Sequence, residues 1–184
     1  MAKGKGKGSS FEREFSRDLS DWWSGGERKD LFWRTAMSGG MSTVTGCKNQ
    51  AGDITAVCGR GARLTEAVSF ELKRGYPSAK PWDFLQGGSG IQANGKLIDQ
   101  ADTAATQSET VWALVHKQDR KQSVLYLPTA IGEDVKNTFR VLSSMHWNDG
   151  CGDGFYAFRM KEFFDRVDPE TFVKICEAYL EWKC

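Results

Sequence analysis

The sequence predicts an α/β domain with a central mixed β-sheet flanked by helices. Three observations carry this expectation: a helical apolar stripe near the N-terminus, several short apolar runs of strand length, and a last segment that opens with a capping residue followed by proline. Phe11, Phe15, Leu19 and Trp22 fall at i, i+4, i+8 and i+11, which predicts a helix over residues 10–23. Gly25-Gly26 ends it. Residues 31–34 read as a short strand, and residues 38–52, rich in Gly, Ser and Thr, as a loop. Residues 54–58 and 64–73 read as two strands joined by a hairpin around Gly59-Arg60-Gly61. Residues 76–95 are rich in proline and glycine and read as an insertion or flap, with Trp82 and Phe84 to pack part of it down.

A helix follows over 96–106, then strands over 111–116 and 124–127, a helix over 130–142 and a strand over 155–160. Asp168-Pro169 starts the final helix with a capping side chain and a proline at the first helical position. Phe172, Ile175, Cys176, Tyr179 and Leu180 form its apolar face, read as core ahead of a dimer contact.

A chain of 184 residues fits one domain, expected over residues 10–184 behind a flexible basic arm at 1–9 that alternates Lys and Gly. Seven Trp and eleven Phe supply ample apolar surface for a core. The formal net charge is +1, so a nucleic-acid partner has to be sought in local patches. No apolar run reaches the roughly 18 residues of a membrane span, and no apolar segment follows Lys3, Lys5 and Lys7 to make a signal peptide. Five cysteines without CxxC spacing point to reduced thiols, and with them to a cytoplasmic protein.

The chemistry concentrates in two segments, Gly52-Asp53-Ile54 and Ser69-Phe70-Glu71-Leu72-Lys73. Side chains alternate along a strand, so Glu71 and Lys73 share one face while Val68, Phe70 and Leu72 take the other. Two carboxylates and an ammonium on one face can hold Mg²⁺ beside a phosphate and orient a water, the chemistry of a metal-dependent nuclease. Singly, Asp53 could be a turn residue and Glu71–Lys73 a weak exposed ion pair. Glu12 fits a capping box with Ser9, an alternative to a place in the site. His116 and His146 lack partners at ligand spacing and read as structural.

These residues resemble the PD-(D/E)xK nuclease superfamily, and within it the archaeal type of Holliday-junction resolvase. Gly52-Asp53 followed by Glu71-Leu72-Lys73 is similar to its signature, with Gly52 in place of the proline. Lys7-Gly8-Ser9-Ser10-Phe11-Glu12-Arg13-Glu14 resembles the Lys-Gly-x-x-x-Glu-Arg-Glu opening of the resolvases, and Arg34-Thr35-Ala36 their Arg-Ser-Ala segment. The likeness covers residues 7–75. It implies a restriction-endonuclease-like fold, with Asp53, Glu71 and the backbone carbonyl of Leu72 as Mg²⁺ ligands and Mn²⁺ as a substitute. It also implies Lys73 activating the attacking water or neutralising the phosphorane, Glu12 holding a second metal or its water, and Arg34 on the phosphate.

Arg34, Arg60, Arg63, Arg74 and Lys80 surround the catalytic segment in sequence and are expected to contact DNA phosphates, a salt-dependent and largely sequence-independent interaction. The leading expectation is a structure-selective endonuclease cutting four-way or branched DNA as a homodimer, since two symmetric nicks need two sites related by a twofold. Another nuclease of the same fold, acting in restriction, repair or phage DNA processing, and a non-catalytic DNA-binding module are the alternatives.

Overall fold

A computed structural model describes residues 4–35, 52–76, 89–140, 143–148 and 154–183. The first helix, α1 (Gly4–Trp23), starts six residues before the expected position, inside the segment read as an arm. A short strand β1 (Phe32–Arg34) and β2 (Ile54–Ala56) pair antiparallel as a small two-stranded sheet. The expected loop falls almost wholly on residues 36–51, outside the described part, as does most of the expected insertion, at 77–88.

The expected hairpin is absent: a helix, α2 (Gly59–Ala67), joins β2 to β3 (Val68–Arg74). Its buried positions Gly61, Leu64, Thr65 and Ala67 follow a helical period, not a strand's. Gly61, which suggests a turn in the sequence, serves a close approach instead, because a Cβ there would lie 2.9 Å from the Phe32 ring.

The main sheet has five strands in the order β3–β4–β5–β7–β6, with β4 (Val111–Lys117), β5 (Val124–Pro128), β6 (Ser144–Asn148) and β7 (Gly154–Arg159). β3 and β4 are parallel and the other pairs antiparallel. The parallel pair requires a crossover, supplied by α3 (Ser89–Gln107), which reaches back into the segment read as a flap. β6 has no counterpart in the sequence reading, although Met145 and Trp147 alternate with polar residues and pack against the sheet. α4 (Thr129–Phe139), α5 (Met160–Arg166) and α6 (Pro169–Lys183) complete the chain. Asp168 caps α6 by accepting the Thr171 N–H at 2.8 Å.

The two faces of the sheet are covered unequally. Val68, Phe70, Leu72, Val115, Leu125 and Phe158 pack on one side against α1, α2, α4, α5 and α6. Phe172 and Cys176 are buried there, so the apolar face of α6 belongs to the core. On the other side, among the described residues, α3 lays Leu97, Ala101 and Ala105 over Trp112, Leu114 and Tyr126. Glu71 and Lys73, paired in register with Leu114 and His116, lie on this second face. Among the described residues, no helix is long and apolar enough to cross a membrane.

Candidate active site

The site is assembled around the outer edge of β3. Ser20 on α1 accepts the Phe32 N–H at 3.0 Å, which ties β1 to the helix. Two residues further along β1, the Arg34 guanidinium reaches Glu12 at 3.6 Å and the Ser9 hydroxyl at 3.4 Å. Because α1 begins at Gly4, Ser9 lies inside the helix and cannot be its N-cap. The capping-box reading of Glu12 therefore falls, and the carboxylate faces Arg34.

Asp53 is held by its backbone and its side chain. Its carbonyl accepts from Thr35 N–H at 2.8 Å, and its own N–H donates to Phe70 O at 2.7 Å. Its Oδ2 accepts from Leu72 N–H at 2.8 Å. The segment before β2 thus docks on the free edge of β3, so Asp53 reaches Glu71 without the hairpin. Gly52 makes this approach possible: its φ is +74°, and a Cβ would sit 2.5 Å from Phe70 O and 2.7 Å from Ser69 Oγ. In a strand the N–H and C=O of one residue face the same edge, so the Leu72 carbonyl points to the side where Asp53 docks.

Glu71 is 8 % exposed and forms a short ion pair with Lys73, whose side chain is also nearly buried. Burial pushes the Glu71 carboxyl above its ordinary range, and the nearby charges of Asp53 and, more weakly, Glu12 push it further; Lys73 acts in the opposite direction. Glu12, Asp53 and Glu71 are therefore electrostatically one group, with negative charge only partly offset by Lys73.

Among the described residues, no three His, Cys, Asp or Glu side chains form a ready-made metal cage. An open corner of carboxylates and a backbone carbonyl still suits an ion such as Mg²⁺, which binds through one or two carboxylates and keeps sites for water and phosphate. Carboxylates whose mutual repulsion is only partly relieved by Lys73 and Arg34 are the donor chemistry such a cation would satisfy.

The structure thus brings together Glu12, Asp53, Glu71, Lys73 and Arg34. It commits Arg60 and Arg63 to partners elsewhere. Arg60 pairs with Glu27 at 2.9 Å, and Arg63 forks onto both oxygens of Glu177 and onto Glu170. These two stitch α2 to its neighbours. Arg74 lies 3.7 Å from Asp119, and Lys80 is outside the described residues. His116, read as structural in the sequence, is the register partner of Lys73. The parallel β3–β4 register that brings the two together has no signal in either segment alone.

A family model described as "phage putative PDDEXK endonuclease" matches residues 3–174. No curated protein and no solved structure matches the chain significantly.

Proposed function

The chain belongs to this family of phage PDDEXK endonucleases, and from that premise we propose a divalent-metal-dependent DNA endonuclease that hydrolyses phosphodiesters at the corner formed by Glu12, Asp53, Glu71 and Lys73. PDDEXK nucleases typically use divalent metal ions. Here Asp53, Glu71 and the Leu72 carbonyl would hold Mg²⁺, or Mn²⁺ in its place, with Glu12 at a second ion or its water. The cation, when bound, supplies Lewis acidity and a water of lowered pKa. Lys73, kept in place by Glu71, orients the attacking water and offsets charge as its oxygen bonds to phosphorus and the ester oxygen departs. The compact ammonium suits that point-charge role. Arg34, beside Glu12, contacts the phosphate.

The observation that carries this reading is the convergence of Glu12 and Asp53 on a buried Glu71 whose remaining partner is the Lys73 ammonium. The preferred substrate is a four-way or branched DNA cut by a homodimer, supported by the resolvase-like opening around Glu12. The phage family favours a second reading, a phage DNA-processing nuclease without junction preference. One experiment separates them. The protein is incubated with a four-way junction, a linear duplex and a single strand, in Mg²⁺ or in EDTA. Paired symmetric nicks in the junction alone support resolution, and cleavage of all three supports the general nuclease. Binding without cleavage in any metal leaves a non-catalytic module.

A further inference from the structure

Beyond the acidic corner, the same sheet face carries a row of residues aligned across three more strands. Lys73 pairs in register with His116 on β4, His116 with Val124 on β5, and Val124 with Arg159 on β7. Neighbouring strands lie about 4.8 Å apart, so the row extends roughly 5 to 14 Å from Lys73. A cavity of about 220 Å³ opens along it, lined by His116, Gln118, Lys121, Gln122, Val124 and Arg159, with Ser123 at its edge.

Two features of this cavity favour an anion, its lining and its unpaired cations, and a buried histidine stands in its wall. Its lining holds two cations, two amides, a hydroxyl and an imidazole, and no carboxylate. Neither Lys121 nor Arg159 forms an ion pair among the described residues, unlike Arg60 and Arg63. His116 is 3 % exposed, and its Nε2 is buried without a hydrogen-bond partner among the described residues. The larger cavity nearby, about 500 Å³, shares Lys121 with this one but mixes Lys117, Lys121 and Lys161 with Glu14, Asp18, Asp21 and Asp165, so its charges nearly balance.

We propose that the cavity over His116, Lys121 and Arg159 binds a backbone phosphate of the DNA strand flanking the one cut beside Lys73. The assignment rests on the nuclease reading above and adds to it a subsite that sets how the strand lies across the sheet. Lys121 and Arg159 supply the charge that meets the phosphate, and His116 forms part of the cavity wall.

The test is a binding measurement in EDTA with the full chain and a short DNA that the wild type cleaves in metal. Affinity is measured against salt for the wild type, Lys121→Gln, Arg159→Gln and the double variant. Each lost phosphate contact lowers the magnitude of the log K against log salt slope by about 0.9. Each single variant should show part of that drop and the double variant Lys121→Gln/Arg159→Gln the whole of it, with an unchanged thermal midpoint. A second arm replaces single phosphates flanking the cut with neutral methylphosphonates. One position should weaken wild-type binding several-fold and have no further effect on the double variant. Wild-type slope and wild-type methylphosphonate sensitivity in the double variant would overturn the subsite while leaving the nuclease reading intact. A wild type that neither binds nor cuts DNA would instead overturn the nuclease reading and the subsite with it.

Discussion

Glu71 on β3 and Glu177 on α6 each lie against a cation, yet their carboxyl groups respond in opposite ways. Arg63 holds Glu177 below its ordinary range through a forked hydrogen bond in an open, solvated setting. Glu71 has Lys73 against it and is still pushed up, because burial and the charges of Asp53 and Glu12 outweigh the ammonium. At the α2–α6 contact, charge is matched and exposed, an arrangement that joins elements and is worth little in stability. At the β3 edge, like charges are brought together and desolvated, which costs stability and persists only if something else exploits it. An ion pair alone therefore does not mark a site in this domain; the two regions differ in whether burial and like charges outweigh the cation.

The largest expected effect is on turnover. Asp53→Asn and Glu71→Gln should each lower cleavage by about 10³-fold or more while DNA binding is retained, since both side chains lie at the edge and not in the core. Single-turnover cleavage together with a binding isotherm checks this. Near-normal turnover in Mg²⁺ by either variant would remove the distinction between the two regions.

Next comes Gly52→Ala, which has no room beside Phe70 O and Ser69 Oγ and no easy access to a positive φ. Strain of about 1–3 kcal/mol is expected, with cleavage falling further than stability because Asp53 is displaced. Thermal unfolding and cleavage measured on the same preparation give both numbers.

Glu71→Gln also carries a stability prediction with a defined sign. A carboxyl raised in the folded state destabilises the protein above its folded pKa, and that cost disappears as pH falls toward its unfolded pKa. In chelator at neutral pH the variant should unfold at or above the wild-type midpoint, and the gap should close on acidification. A midpoint clearly below wild type at neutral pH would mean that the Lys73 pair outweighs the repulsion.

The smallest effect is assigned to the other region. Arg63→Gln should lower the thermal midpoint slightly, leave cleavage unchanged and leave the salt dependence of DNA binding unchanged, because its guanidinium is already committed to Glu170 and Glu177. A clear loss of DNA affinity would return Arg63 to the phosphate contacts expected from its place in the sequence.

The fold was legible wherever the pattern was local. The stripe from Phe11 to Trp22, the apolar strands β4, β5 and β7 and the Asp168-Pro169 start of α6 are all carried by residues within one turn or one strand of each other. The joint between β2 and β3 was misleading because Gly59 and Gly61 carry a turn signal, whereas Gly61 is there for the Phe32 ring. That error left the grouping of the acidic residues unaffected, because Asp53 reaches β3 through Phe70 O and Leu72 N–H, with α2 as the connection. The commitments of Arg60 and Arg63 were not legible: their partners Glu27, Glu170 and Glu177 lie 33 to 114 residues away. The row from Lys73 through His116 to Arg159 depends on strand order and register, which no single segment encodes.

The central claim is that Glu12, Asp53 and Glu71 hold unbalanced charge for a divalent cation. Its most direct test is thermal unfolding of the DNA-free protein across a Mg²⁺ or Mn²⁺ titration, beside Asp53→Asn and Glu71→Gln. A ligand bound only by the folded state stabilises by RT ln(1 + [L]/Kd). The wild-type midpoint should climb with metal concentration, and both variants should stay nearly flat. Equal climbs in all three proteins, or a flat wild type at saturating metal, would contradict the account.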